Sequence, residues 1–95
     1  MKAITLTEVI REECKDPIFS EHFERETLIN DIAKMIIQLR EQAKLTQKEL
    51  AERAHTTQPV VARIESGADR RVPSLELLTR LALGAHARLK LSIDR

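Results

Sequence analysis

Ninety-five residues with 42% apolar and 33% charged content suit one small globular domain with a single core and exclude a wholly disordered chain. No apolar run approaches the roughly 18 residues of a membrane span, and the N-terminus MKAITLTEVIREE carries acids where a secretion leader would be apolar, so a cytoplasmic chain is expected. The net charge of +1 divides unevenly, with five basic against eight acidic residues in Met1 to Ile36 and eleven against seven in Gln38 to Arg95; either the C-terminal part faces a polyanion and the N-terminal part a basic partner, or both are solvated helix faces.

Thr7 to Lys15, with Val9 and Ile10 followed by Glu12 and Glu13, reads as a short, marginal helix. Asp16-Pro17 is a stronger start signal: aspartate serves as N-cap and proline takes the first helical position, where its missing amide proton costs nothing. Phe19 and Phe23, the only aromatic residues, fall at i and i+4 on one face with Glu21, Glu24 and Glu26 around them. That face either packs on the main domain or receives a partner. Val9, Ile10, Phe19 and Phe23 are therefore the candidate partner-binding residues of an N-terminal helical extension, residues 1–26.

The main domain is expected over residues 27–84. Leu28, Ile32, Met35, Ile36 and Leu39 repeat at spacings of three and four, which predicts a helix over Thr27 to Gln42, and no breaker separates it from the Phe19 helix. Thr46 stands three residues ahead of Glu49, the spacing of a capping box, so a helix begins at Gln47 with Leu50, Ala51 and Ala54 on one side. His55, Thr56 and Thr57 interrupt it. Thr57 is the expected N-cap of a second helix whose first turn tolerates Pro59, whose apolar stripe is Val61 and Ile64, and whose end is Gly67 in a left-handed conformation. Two short helices joined by a tight turn, with alanines where they cross, have the layout of a helix-turn-helix, in which the second helix enters the DNA major groove.

The stretch LREQAKLTQKELAERAHTTQPVVARIESG is similar to the XRE family, the phage-repressor type of helix-turn-helix. The resemblance rests on the LTQ-x-x-LA start, the TTQ that opens the recognition helix, the R-x-E-x-G end and a proline-serine pair before the next helix. It covers roughly Ile36 to Leu83, and the flanks resemble HigA-type antitoxins. In such proteins an arginine at the position of Arg40 pairs with a glutamate at the position of Glu65, so the resemblance implies a partly buried, structural ion pair between them. It also implies an autorepressor that binds double-stranded operator DNA and neutralises a HigB or RelE-like ribonuclease; a plain repressor without a toxin partner is the alternative. His55 departs from the pattern, standing where relatives commonly have glycine.

With Val61 and Ile64 facing the core, Gln58, Pro59, Val60 and Arg63 are left outward. Gln58 can bond in bidentate fashion to adenine, and Arg63 can reach guanine or phosphate. Val60 either covers a thymine methyl or packs at the edge of the core. Gln47, at a helix N-terminus, can place its amide proton and side chain on a phosphate, with Thr46 and Thr57 as further phosphate candidates. Arg70 and Arg71 contact the DNA backbone or lie solvated.

Ser74 should cap a last helix in which Leu75, Leu77, Leu78, Leu81 and Ala82 complete the core before Gly84 ends it. In residues 85–95 the period changes, since Arg88 to Asp94 alternate polar and apolar residues as a strand with one buried face does. A lone strand is unstable, so Leu89, Leu91 and Ile93 are dimerisation candidates through pairing with a second copy; a tail lying on the core is the other reading. The expectation is thus an all-α, phage-repressor-like bundle of about five to six helices with a short C-terminal strand pairing between chains in a homodimer. Cys14 alone forbids an internal disulfide, His22, His55 and His86 lack metal-ligand spacing, and no glycine-rich phosphate loop or paired catalytic group is visible, so neither an enzyme nor a metal or cofactor is expected.

Overall fold

The computed structural model describes the backbone of residues 17–94 and the side chains of residues 20–94. Within them the chain is all-helical: α1 Pro17–Gln42, α2 Gln47–Arg53, α3 Gln58–Ser66 and α4 Leu75–Gly84. Four helices stand against the expected five to six. The Thr7 to Lys15 segment, with Val9 and Ile10, and the Phe19 side chain lie outside the described residues. The helices expected around Phe19 and over Thr27 to Gln42 are a single element, because no glycine or proline between Ile18 and Gln42 interrupts the backbone hydrogen-bond ladder. None of the helices is long and apolar enough to cross a membrane.

Twenty-six helical residues span about 39 Å at 1.5 Å each. The molecule measures 42 × 25 × 20 Å, so α1 can only lie along its long dimension. Its buried stripe is Ile29, Ile32, Ala33, Ile36 and Leu39, whereas Leu28 and Met35 are half-buried. The stripe is thus rotated from the expected one towards Ile29 and Ala33, which sit beneath the end of α3: a Cβ built on Gly67 would lie 3.9 Å from the Ala33 Cβ. No described residue before Ile29 is fully buried, although Phe23, Glu24, Thr27 and Leu28 are half-buried, so the N-terminal part of α1 is covered less deeply than the rest.

The core joins α1 to the other helices through Ile36, Leu50, Val61 and Leu81, each essentially free of solvent, and burying each of these aliphatic side chains contributes roughly 1.5–3 kcal/mol. Ala51 and Ala54 are buried beside Leu50, and their small side chains let α2 and α3 approach closely. From α4 come Leu78, Leu81 and Ala82. Leu75, expected in the core, is 56% exposed. It is the first residue of α4, and helical side chains lean towards the N-terminus, so its own points off the end of the helix.

Three of the four helices end on a non-glycine residue with positive φ: Lys44 (58°), His55 (57°) and His86 (61°). The following residue in each case donates its N–H to the carbonyl five positions back, Leu45 to Arg40, Thr56 to Ala51 and Ala87 to Ala82, at 3.1, 2.9 and 2.8 Å. These are Schellman closures, which satisfy carbonyls the helix end would otherwise leave unpaired. Gly67 ends α3 at φ 69°, as the sequence predicts. Gly84 does not end α4 in this way. It is the last helical residue, and its missing side chain admits the end of α2: a Cβ there would stand 3.1 Å from the Arg53 Cβ and 3.4 Å from the Arg53 carbonyl carbon.

The described residues contain no strand. A strand exists only against a neighbour, and among the described residues no backbone hydrogen bond joins positions 88–94 to the rest of the chain. Leu89 is half-buried against the core, while Leu91 is 50% and Ile93 84% exposed.

Candidate nucleic-acid interface

The interface is built on the start of α2 and the start of α3. Thr46 closes both halves of its box: its hydroxyl accepts from the Glu49 N–H at 3.0 Å, and its own N–H donates to Glu49 Oε1 at 2.8 Å. The N–H that Thr46 donates to the carboxylate is the main cause that holds the Glu49 carboxyl below its ordinary pKa. Thr57 occupies the N-cap position of α3 with extended backbone, but its exposed side chain makes no cap hydrogen bond; the carbonyl of Thr57, accepting from Val60 and Val61, starts the helix instead.

Gln47 and Gln58 are the first residues of their helices, and the turn brings them together. Gln58 Nε2 donates to Gln47 Oε1 at 2.9 Å, and Gln47 Nε2 donates to Glu65 Oε1 at 3.0 Å. Glu65 in turn accepts from Arg40 at both oxygens, 2.7 Å from Nε and 3.1 Å from Nη2, while Arg40 Nη1 donates to the Leu45 carbonyl at 3.0 Å. The side chains of Glu65 and Arg40 are 6% and 19% exposed, so this bidentate pair is largely withdrawn from water. The hydrogen bond to Glu65 raises the pKa of the Arg40 guanidinium. A relay of side chains therefore runs from the interior of α1 to Gln58 at the surface, and the Gln47 side chain is committed to it rather than extended towards a phosphate.

Gln58, Pro59 and Arg63 are exposed, as the outward face requires. Val60 is half-buried and packs against the core cluster, so it covers part of the interior as well as standing beside the exposed face. Arg70 and Arg71 are exposed in the loop between α3 and α4. Asp69, which the sequence alone does not single out, accepts the Arg71 N–H at 3.0 Å, and the same oxygen lies 3.5 Å from Arg71 Nε. That backbone hydrogen bond and the positive charges of Arg71 and Arg63 hold the Asp69 carboxyl below its ordinary pKa, although burial opposes them. Nothing in the sequence ties Gln47 to Gln58 beyond the fact that glutamine opens both helices.

The two helices and their exposed, amide- and guanidinium-bearing face have the geometry of a DNA reader. Comparison with curated proteins and with solved structures returns no match. A helix-turn-helix family model matches residues 36–83, 48 of the 95. That span runs from the core of α1 through α4 and takes in both helices of the reading unit, their turn and the Arg40–Glu65 pair, and by it the chain belongs to the XRE-type helix-turn-helix family.

Proposed function

We propose that this chain is an antitoxin of the HigA type: a homodimer that represses its own operon by reading operator DNA with α3 and that neutralises a HigB or RelE-like mRNA-cleaving toxin in the cytoplasm. The DNA half rests on one observation, the anchored Gln58. An amide group carries two hydrogens and a carbonyl oxygen. Gln47 takes one hydrogen of Gln58, and the second hydrogen with the carbonyl is what a bidentate contact to adenine needs. Because Gln47 is itself held by Glu65, the reading amide is oriented before DNA arrives. Arg63, Arg70 and Arg71 supply the backbone contacts in this reading, and Thr46, Thr57 and Pro59 border the same face.

Gln58→Ala should weaken operator binding by about 1–3 kcal/mol and relax preference at one base pair while leaving random-sequence binding nearly unchanged. Equal loss on operator and random DNA in a titration would remove Gln58 as a base reader.

The N-terminal part of α1 supports the toxin half. Glu21 and Glu26 are exposed on it and Glu24 is half-buried, all ahead of the family-matched region, and a basic RNA-cutting protein is a fitting partner for such an acidic segment. Deleting Met1 to Arg25 should abolish capture of the toxin and leave operator binding intact; inhibition retained by the shortened chain would take the toxin contact off this arm, and failure of the full-length chain to capture the toxin would favour the plain repressor.

A further inference from the structure

Beside the end of α3 lies a small cleft of about 10 Å³, floored by Ile29, Ile32, Ile64 and Pro73 and edged by Arg63, Asp69 and Arg71. The two arginines belong to the face assigned to DNA, and the carboxylate between them has the wrong sign for a phosphate neighbour. Its side chain is 25% exposed and is held by the Arg71 N–H, while that of Arg71 is 81% exposed, so the acid sits against the loop and the guanidinium lies open to other anions. A DNA phosphate and Asp69 offer Arg71 the same kind of partner, an anionic oxygen.

We propose that Asp69 is an internal rival of the DNA backbone, a carboxylate that occupies Arg71 in the free protein and thereby sets how strongly this loop holds phosphate. The proposal rests on the DNA-reading function above. In the free chain the guanidinium stays beside Asp69; on DNA it is divided between that carboxylate and a phosphate oxygen. Asp69 holds the loop through the Arg71 N–H as well, and that role needs only an acceptor oxygen, which asparagine also provides.

The experiment is a titration of the full-length chain with a random-sequence duplex across a series of salt concentrations, for the unchanged protein, Asp69→Asn, Arg71→Ala and the double variant. Asp69→Asn keeps the acceptor and removes the charge, so it should bind about three-fold more tightly. Its plot of log affinity against log salt should steepen by up to about 0.9, one further phosphate contact. Both gains should vanish when Arg71 is alanine, because the competition acts through that side chain. Unchanged affinity, weaker binding, or the same gain with Arg71 absent would each overturn the proposal while leaving the DNA reading intact. Failure of the unchanged protein to bind DNA at low salt would instead overturn the reading itself and the proposal with it.

Discussion

Glu65 is the only buried charged residue among the described ones, and its position explains why the structure tolerates it. Three donors meet its two oxygens, two from Arg40 and one from Gln47, so the charge removed from water is matched. Removing one partner breaks that match. Glu65→Ala should destabilise the chain by about 3 kcal/mol in urea unfolding, and adding Arg40→Ala to it should cost far less than the sum of the two single changes, since both remove one shared interaction. The Arg40–Glu65 pairing could be expected from a resemblance, but not from the residues alone, because 25 positions separate the partners. The link from Gln47 to Gln58 was hidden for a similar reason. It depends on the angle at which two helices cross, and no local pattern encodes that angle.

Local chemistry made the helix starts legible. Thr46 and Glu49 satisfy one another within four residues, and Ser74 accepts from the Leu77 N–H at 3.1 Å, as their spacing predicts. Helix ends were less readable, because the sequence signal for a left-handed residue is glycine and three ends here use Lys44, His55 and His86 instead. His55 can be identified as the residue where relatives carry glycine, and its φ of 57° gives that departure its physical meaning. A β-carbon in this conformation costs about 1–2 kcal/mol, part of which glycine returns through a more flexible unfolded chain. His55→Gly should therefore raise stability by about 0.5–1 kcal/mol in thermal or urea unfolding. Gly84→Ala should do the reverse despite the better helix propensity of alanine, because the new methyl meets the Cβ and backbone of Arg53, and α2 and α4 would have to separate. Here the sequence misleads: a glycine near a helix end suggests a stop, whereas this one serves a close approach.

At the scale of the whole molecule, the helices of residues 17–84 account for one another, and the tail does not fit so neatly. Among the described residues the five exposed large apolar side chains all fall between Val72 and Ile93, and two of them, Leu91 and Ile93, alternate with polar residues on a backbone without hydrogen-bond partners there. The alternation was legible; whether it forms a strand depends on a second chain, which a single sequence does not contain. Under the dimer reading, Leu91→Ser with Ile93→Ser should yield a monomer in sedimentation with its helical circular dichroism intact, and it should lose cooperative operator binding. A dimer unaffected by both changes would place the contact elsewhere.

The uninterrupted course of α1 has a geometric corollary. The same rod carries the acidic arm at one end and, from Ile29 onward, is packed beneath Ile64 and Gly67 at the close of the reading helix. The azimuth of the arm about its axis is consequently indexed to the duplex by residue count alone. One residue inserted between Glu26 and Leu28 would swing the arm by about 100° and advance it by about 1.5 Å, whereas seven inserted residues would return it almost to its starting bearing, two turns farther out.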